Sequence, residues 1–267
     1  MSFIEWLNDR KATQFVITTL GLRQAMNATL RRLPLSFRLP KTGIRYHCPF
    51  VDSFMLADEI FRRKVYDPAF DESIRTVCDL GCNVGHFIAA LCEHTGRRDL
   101  RGLAVDANRD MLREAERLLH DNGIGSISTV FGMVGGPGPA GLAEFYVHPV
   151  GIKSSAYNVD EPGHTGKGDW QPTRVPRLDI ETLWLGVVGD VPCDLLKVDI
   201  EGSEADFLCA ENPFLARVER VIVECHRWVI GAEEITARLE AMGFERLGQL
   251  DEAPTRETVH FRRRAAG

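Results

Sequence analysis

The run Asp79-Leu80-Gly81-Cys82-Asn83-Val84-Gly85 has the residue types and spacing of a nucleotide-binding turn. A short apolar strand ends in an acid, passes through a glycine-bracketed turn and opens a helix at His86, where free backbone N–H groups are expected to converge. A dinucleotide fingerprint needs G-x-G-x-x-G, so that the backbone can approach a pyrophosphate closely. Here the pattern is D-x-G-x-x-x-G, with Asn83 and His86 at the places of the second and third glycines. An acid ahead of the first glycine repels a pyrophosphate and suits a ligand with a cationic amino-acid end, as S-adenosylmethionine has. About one βαβ unit later Asp106 ends a second strand, where a carboxylate can accept hydrogen bonds from both hydroxyls of a ribose. The candidate cofactor residues are therefore Asp79, Gly81, Cys82, Asn83 and Gly85, with Asp106 and Ala107.

A second constellation lies in Asp194-Leu195-Leu196-Lys197-Val198-Asp199-Ile200-Glu201. Lys197 and Asp199 share one face of a strand that a parallel sheet should bury on both sides and keep apolar. A charge buried there alone is costly, so each needs an ion pair, a ligand or a metal. Glu224, in the next strand, is the expected partner of Lys197. One reading is a structural ion pair that shapes the cleft. The other brings Lys197, Asp199 or Glu201 to a substrate hydroxyl or a divalent cation, with Asp199, Glu201 and Glu224 as candidate ligands. His226, past the end of the strand carrying Glu224, is the candidate general base, its imidazole neutral near pH 7; its bland alternative is a strand-end polar residue. His226, Lys197 and Asp199 are thus the candidate catalytic residues, whereas His86 reads as a cofactor neighbour or a helix-start residue.

The elements that must position these groups begin at residue 71, where strands and helices alternate as in a parallel sheet covered on both faces. Strands are predicted at residues 76–80, 100–108, 127–134, 194–200 and 220–226. Asn108 caps a helix over 109–120 whose Met111, Leu112, Ala115, Leu118 and Leu119 form an apolar stripe. After a helix over 232–242, strands at 244–250 and 257–263 leave no room for a crossover and must pair antiparallel. Five parallel strands plus a C-terminal antiparallel hairpin make a seven-stranded α/β sheet. An N-terminal helical extension or cap is expected over 1–70, with a capping box at Ser2 and Glu5 and a stop at Pro34, ahead of a main domain over 71–267. Within that domain 143–176 interrupts the alternation as a strand followed by a long polar loop. Gly163-His164-Thr165-Gly166-Lys167-Gly168 in that loop is not a phosphate loop, since no strand precedes it and no Ser or Thr follows the lysine.

Composition bounds the rest. The 267 residues are 44% hydrophobic and 26% charged with a net charge of −6, which fits a globular chain and argues against a generic nucleic-acid binder. Seven cysteines without a C-x-x-C pair read as buried thiols of a reducing compartment. No secretory signal and no transmembrane stretch is visible, so a cytoplasmic location is expected.

Several blocks then occur in one order: Asp79 to Gly85, Val105-Asp106-Ala107-Asn108, Ser154-Ser155, Arg177-Leu178-Asp179, Asp194 to Glu204 and Val223-Glu224-Cys225-His226. Together they resemble the FkbM-type S-adenosylmethionine-dependent methyltransferases over roughly residues 51–226, the Lys197-Val198-Asp199-Ile200-Glu201-Gly202 block most specifically. The resemblance implies a Rossmann-like class I methyltransferase sheet and methyl transfer to an oxygen, on a hydroxyl of a small molecule, natural product or glycan. The family more often has Glu-Pro-Asn where this chain has Asp106-Ala107-Asn108, and Ala where it has Cys82; Asp for Glu shortens the reach to a ribose by one methylene.

Two alternatives stay beside this one. An RNA methyltransferase would use Arg31, Arg32, Arg62, Arg63 and Lys64 as phosphate contacts, and a non-catalytic methyltransferase fold would serve as a binding module. An NAD-dependent oxidoreductase has the wrong glycines.

Overall fold

The structure is a computed structural model, and it describes residues 22–33, 35–136, 141–147 and 171–265. Ser154 and Ser155, the capping box at Ser2 and Glu5, and the Gly163–Gly168 run lie outside the described residues.

After helix α1 (Leu22–Arg32) comes a two-stranded antiparallel hairpin, β1 (Leu35–Arg38) and β2 (Arg45–Cys48), then helix α2 (Val51–Ala57), which runs into a π-helical turn at Asp58–Arg62. The sequence led to a helical cap over 1–70, whereas the described part of it also holds this hairpin. It shares a core with the sheet domain: Leu39, Ile44, Ile60 and Tyr66 pack in one cluster with Phe87, Ile88 and Leu91.

The main sheet is built from β3 (Thr76–Leu80), β4 (Arg101–Asp106), β5 (Ile127–Phe131), β9 (Leu195–Val198), β10 (Arg220–His226), β11 (Phe244–Ala253) and β12 (Arg256–Arg263). Between β5 and β9 come β6 (Met133–Val134), β7 (Gly141–Val147) and β8 (Gln171–Leu178). The spatial order is β11-β12-β10-β9-β3-β4-β5, with β12 antiparallel to both neighbours and the other pairs parallel. This is the expected Rossmann-like class I sheet, with the last two strands paired as a hairpin. The chain reverses its direction of growth between β3 and β9, so a switch point opens at their carboxyl ends.

Period-two alternation sends successive strand residues to opposite faces. Cys78, Leu103, Leu196 and Val223 join a cluster around Trp184, Phe207, Phe214 and Phe244. Val77, Ala104, Leu195 and Ile222 join the cluster on the other face with Phe87, Leu112 and Leu118. Helix α3 (His86–Thr95) and helix α4 (Arg109–Asp121) cover that second face, α4 through the expected stripe of Met111, Leu112, Ala115, Leu118 and Leu119 and under an Asn108 cap that accepts from the Asp110 N–H.

Two local expectations need correction. The strand expected over 127–134 divides at Gly132 into β5 and β6, because Met133 and Val134 leave the main sheet to pair with Arg177 and Leu178 of β8. Residues 171–176, read as the end of the long loop, are strand: β8 pairs antiparallel with β7, which was expected as a strand, in a separate three-stranded sheet, and the rest of that loop lies outside the described residues. Helix α5 (Ile180–Val187) follows at once, capped by Asp179, whose carboxylate accepts from the Thr182 N–H. Helix α6 (Glu204–Phe207) is a single turn, and helix α7 (Ala232–Ala241) precedes the hairpin. Six of the seven cysteines are buried and none is bridged. No helix among the described residues is long and apolar enough to cross a membrane.

Candidate functional site

The turn after β3 is tied to β4 rather than left open. The Gly81 and Cys82 N–H groups both donate to the Val105 carbonyl at 2.9 Å, that of Asn83 donates to Asp106 Oδ2 at 2.8 Å, that of Val84 to its neighbour's Asn83 Oδ1 at 2.9 Å, and that of Gly85 to the Cys82 carbonyl at 2.9 Å. The N–H groups of the turn itself, Gly81 to Gly85, are thus consumed within the fold and are not free for an anion. Gly81 has φ +78°, and a Cβ there would stand 1.7 Å from the Asp199 carbonyl oxygen. A side chain is excluded both by conformation and by the close passage of the chain leaving β9. Asn83, at φ 49°, takes a left-handed conformation that asparagine tolerates.

Asp106 stands at the carboxyl end of β4. Its Oδ2 accepts from the Asn83 N–H and its Oδ1 from the Asn108 N–H at 2.7 Å, leaving lone pairs on both oxygens. Burial pushes its carboxyl up to about 6, against those two N–H donors. Asp106 lines a cleft of about 550 Å³, including solvent at the mouth, together with Gly81, Asn83, Ala107, Met111 and Phe145; Asp199 and Glu201 form the opposite wall.

Under the turn lies a buried ion cluster. Lys197 Nζ stands 3.4 Å from Asp79 Oδ1 and 3.2 Å from Asp199 Oδ2, and it donates to the Gly81 carbonyl at 3.1 Å. Register explains the meeting, since Asp79 pairs with Lys197 across β3 and β9. Burial opposes the ammonium charge, but Asp199 and Asp79 together outweigh it and hold the lysine pKa well above its ordinary value. Asp79 is fully buried, and among the described residues neither of its oxygens accepts a well-aligned hydrogen bond. Burial raises its carboxyl, against Lys197. The acid expected to face a cationic ligand is instead the counter-ion of Lys197, and Glu224, the expected partner, is turned elsewhere.

Glu224 belongs to a third group. Its Oε2 accepts from Arg256 at 2.7 Å, and Arg256 also binds Glu59 at 2.8 Å. Beside it, His226 is 4% exposed. Its Nδ1 donates to Glu204 Oε1 at 2.9 Å, while Nε2 lies 3.3 Å from Glu201 Oε2 and 3.7 Å from Glu224 Oε1. Burial disfavours the imidazolium, but Glu201 and Glu204 more than compensate and raise the His226 pKa well above its ordinary value. Burial, then Asp199, lifts the Glu224 carboxyl to about 7, and burial raises that of Glu201 too. An imidazole holding its proton among carboxylates is a poor general base, so the expected role for His226 is not the one its surroundings favour. Glu201, at φ 51°, occupies a left-handed conformation uncommon outside glycine and asparagine, a form of strain that collects at functional sites.

The structure brings Gly81, Asn83, Asp106, Ala107, Asp199 and Glu201 to one cleft. Lys197, Asp79, Cys82 and His226 lie behind its walls, and Gly85 starts helix α3 against Ala115. His86 is a helix-start residue buried away from the cleft: its Nε2 donates to the His47 carbonyl at 3.0 Å, and burial lowers its pKa to about 4. Two residues escaped the sequence reading. The fully buried Glu204 carboxylate accepts from the Ile200 and Gly202 N–H groups and fixes His226. Arg256 reaches Glu224 from the hairpin because β12 pairs with β10 in the register His226 to Arg256. The block around Glu204 was visible in sequence, whereas Arg256 could be found only from the topology.

The profile of the methyltransferase FkbM domain matches residues 79–246, beginning and ending later than the 51–226 expected from the motifs. No curated protein matches the chain. Among solved structures, the N-terminal domain of EvdMO1 with SAH bound is 14% identical, with a TM-score of 0.49 over 91% of this chain and 97% of that one. The methyltransferase FkbM from Methylobacillus flagellatus is 15% identical, with a TM-score of 0.42 over 72% of this chain and 44% of that one. TrmK of M. capricolum with S-adenosyl-homocysteine is 10% identical, with a TM-score of 0.47 over 76% of this chain and 68% of that one.

Proposed function

The chain belongs to the FkbM methyltransferase family, and on that premise we propose that it transfers the methyl group of S-adenosylmethionine to a hydroxyl oxygen of a small molecule, natural product or glycan. The observation that carries this reading is the pairing of two unlike walls in one cleft: Asp106 on one side, Asp199 and Glu201 on the other.

The residues present fit the cofactor. Asp106 keeps lone pairs on both oxygens for vicinal ribose hydroxyls, Met111 and Phe145 supply apolar surface for a base, and the turn's consumed N–H groups disfavour a phosphate. Bound there, S-adenosylmethionine supplies a methyl carbon to the acceptor oxygen, forming the C–O bond as the C–S bond breaks and its electron pair stays on sulfur. The chain's task is to position the acceptor and receive its proton. Glu201 lines the cleft and is held against His226 Nε2, so it is the residue placed to take that proton. Asp199, anchored by Lys197, orients the hydroxyl.

Calorimetry with S-adenosylmethionine tests the cofactor wall. Asp106→Ala should weaken binding on the order of 100-fold, as expected from losing two charge-assisted hydrogen bonds at ~1.5 kcal/mol each. Gly81→Val should abolish binding by forcing the turn away from β9. Unchanged affinity in both variants sinks the assignment. Labelled methyl transfer to a panel of sugars and hydroxylated natural products tests the acceptor class, and label found in RNA instead would overturn it.

A further inference from the structure

Behind the acceptor wall three donors of two chemical kinds converge. One carboxylate oxygen of Asp199, one of Glu224 and a ring nitrogen of His226 all lie within 4.8 Å of one another. Two ligands of one ion with bonds near 2.2 Å stand about 4.4 Å apart when opposite and about 3 Å apart when adjacent, so closing on an ion takes small side-chain movements. The geometry points to a divalent-cation site formed by Asp199, Glu224 and His226, whose role in the reaction rests on the hydroxyl-acceptor reading above, though its existence does not.

Each of the three side chains is anchored by a partner. Asp199 Oδ2 is held by Lys197 at 3.2 Å, Glu224 Oε2 by Arg256 at 2.7 Å, and His226 Nδ1 by Glu204 at 2.9 Å. This is the pattern by which outer groups orient metal ligands, above all a carboxylate fixing an imidazole through one nitrogen so that the other faces the ion. Glu204 is itself fully buried and locked by the Ile200 and Gly202 N–H groups, so the orientation is built in.

Charge argues the same way. Asp199, Glu201, Glu204 and Glu224 surround one imidazole, while Lys197 is shared with Asp79 and Arg256 with Glu59. A buried excess of carboxylates is stabilised by a cation. The site is also accessible, because Asp199 and Glu201 line the cleft. Two carboxylates with one imidazole suit Mn²⁺ or Zn²⁺ better than the all-oxygen preference of Mg²⁺ or Ca²⁺. An ion there would displace the proton of His226 Nε2 to solvent and free Glu201 from that nitrogen; it would bind the acceptor hydroxyl and lower its pKa, with Glu201 taking the hydroxyl proton.

The test uses the full chain, stripped with a chelator and titrated with Mn²⁺ followed by electron paramagnetic resonance, then with Zn²⁺ by calorimetry. One ion per chain is expected, with a spin-echo modulation from a directly bound imidazole nitrogen. His226→Asn should abolish that modulation and weaken binding at least 100-fold. Glu224→Gln should weaken it similarly, and Glu204→Gln, acting through the imidazole, 10–100-fold. S-adenosylmethionine affinity in each variant reports that the fold and the other wall are intact. No saturable Mn²⁺ or Zn²⁺ binding by chain that binds S-adenosylmethionine overturns the site, as does a wild-type spectrum without nitrogen coupling, whatever the variants do. Ion binding with this variant pattern but no methyl transfer to hydroxyls leaves the site standing and removes the acceptor reading. Full turnover by ion-free enzyme overturns the ion's role in the reaction and leaves the acceptor reading standing.

Discussion

The two walls of the cleft are built on opposite principles. The wall made by β3, β4 and the turn between them is mostly backbone: five successive N–H groups, Gly81 to Gly85, are satisfied within it, and one side chain, Asp106, faces the ligand with spare lone pairs. The wall around β9 and β10 is mostly side chain, with Glu201, Glu204 and Glu224 around His226, Asp199 held by Lys197 and Glu224 by Arg256. The first is rigid before a ligand arrives and suits recognition of a constant cofactor. The second concentrates charge that a ligand, proton or ion must balance, which suits the reacting group. A backbone site is written in a few adjacent residues; a side-chain site is assembled by topology.

Lys197 is where the walls join, since it touches Asp79 and Asp199 and donates to the carbonyl of Gly81. Removing its charge leaves two acids facing each other, one of them, Asp79, fully buried. Lys197→Met should therefore destabilise the chain by about 3–5 kcal/mol, read as a lowered urea midpoint. Adding Asp79→Asn to that variant should recover part of the loss, because the fully buried acid is the one left uncompensated. A loss under ~1 kcal/mol, or no recovery, would mean that the two walls are independent.

The difference between the walls also decides what the sequence revealed. The D-x-G-x-x-x-G spacing and Asp106 were legible because a strand, a tight turn and a helix start are local events with glycine signatures. The strand alternation and the final hairpin were legible for the same reason, as was the apolar stripe from Met111 to Leu119. Charges on β9 announced an unusual site, yet their partners did not follow. Glu224 looked like the mate of Lys197 because they sit on adjacent strands, but register sets Lys197 opposite Asp79 and brings Arg256 to Glu224 from the hairpin. Glu204 looked like part of a helix start, and its role depends on His226, which lies on another element. Residues 171–176 read as the end of a loop because Gln171-Pro172-Thr173-Arg174 is polar; their strand character comes from pairing with β7, which was legible as a strand.

A smaller effect separates the walls by pH. Burial lifts Asp106 from 3.8 to about 6 in the free chain, whereas ribose hydroxyls need its ionised form as acceptor. Affinity for S-adenosylmethionine should be level above pH 7 and fall about tenfold per unit as pH drops below 6. For stability the sign is opposite: the folded state holds this proton more tightly than the unfolded one, so Asp106 disfavours folding increasingly as pH rises from 3.8 towards 6. Calorimetry from pH 5 to 8 checks the binding arm. Asp106→Asn should flatten it, and a profile that stays equally steep in that variant would move the titration to the other wall.

The smallest predicted effect concerns the surface beyond both walls, and it bears on the choice between a hydroxylated small molecule and RNA. Arg62, Arg63 and Lys64 form a basic run in sequence, and a run of free cations would track a phosphate backbone. In the structure each already has an acid: Arg62 pairs with Asp58, Arg63 with Asp251, and Lys64 with Asp67 at 3.6 Å. Arg31, from the other cluster, stands 3.7 Å from Asp110. An exposed pair contributes little to stability, and a cation must leave its acid before it can neutralise a phosphate. Replacing Arg62 and Lys64 together with alanine should shift stability by no more than about 0.5 kcal/mol per residue. It should leave both S-adenosylmethionine affinity and transfer to a hydroxylated acceptor at wild-type levels. RNA binding with a steep salt dependence, lost in this double variant, would show that the acceptor surface extends past the cleft and would reverse the choice.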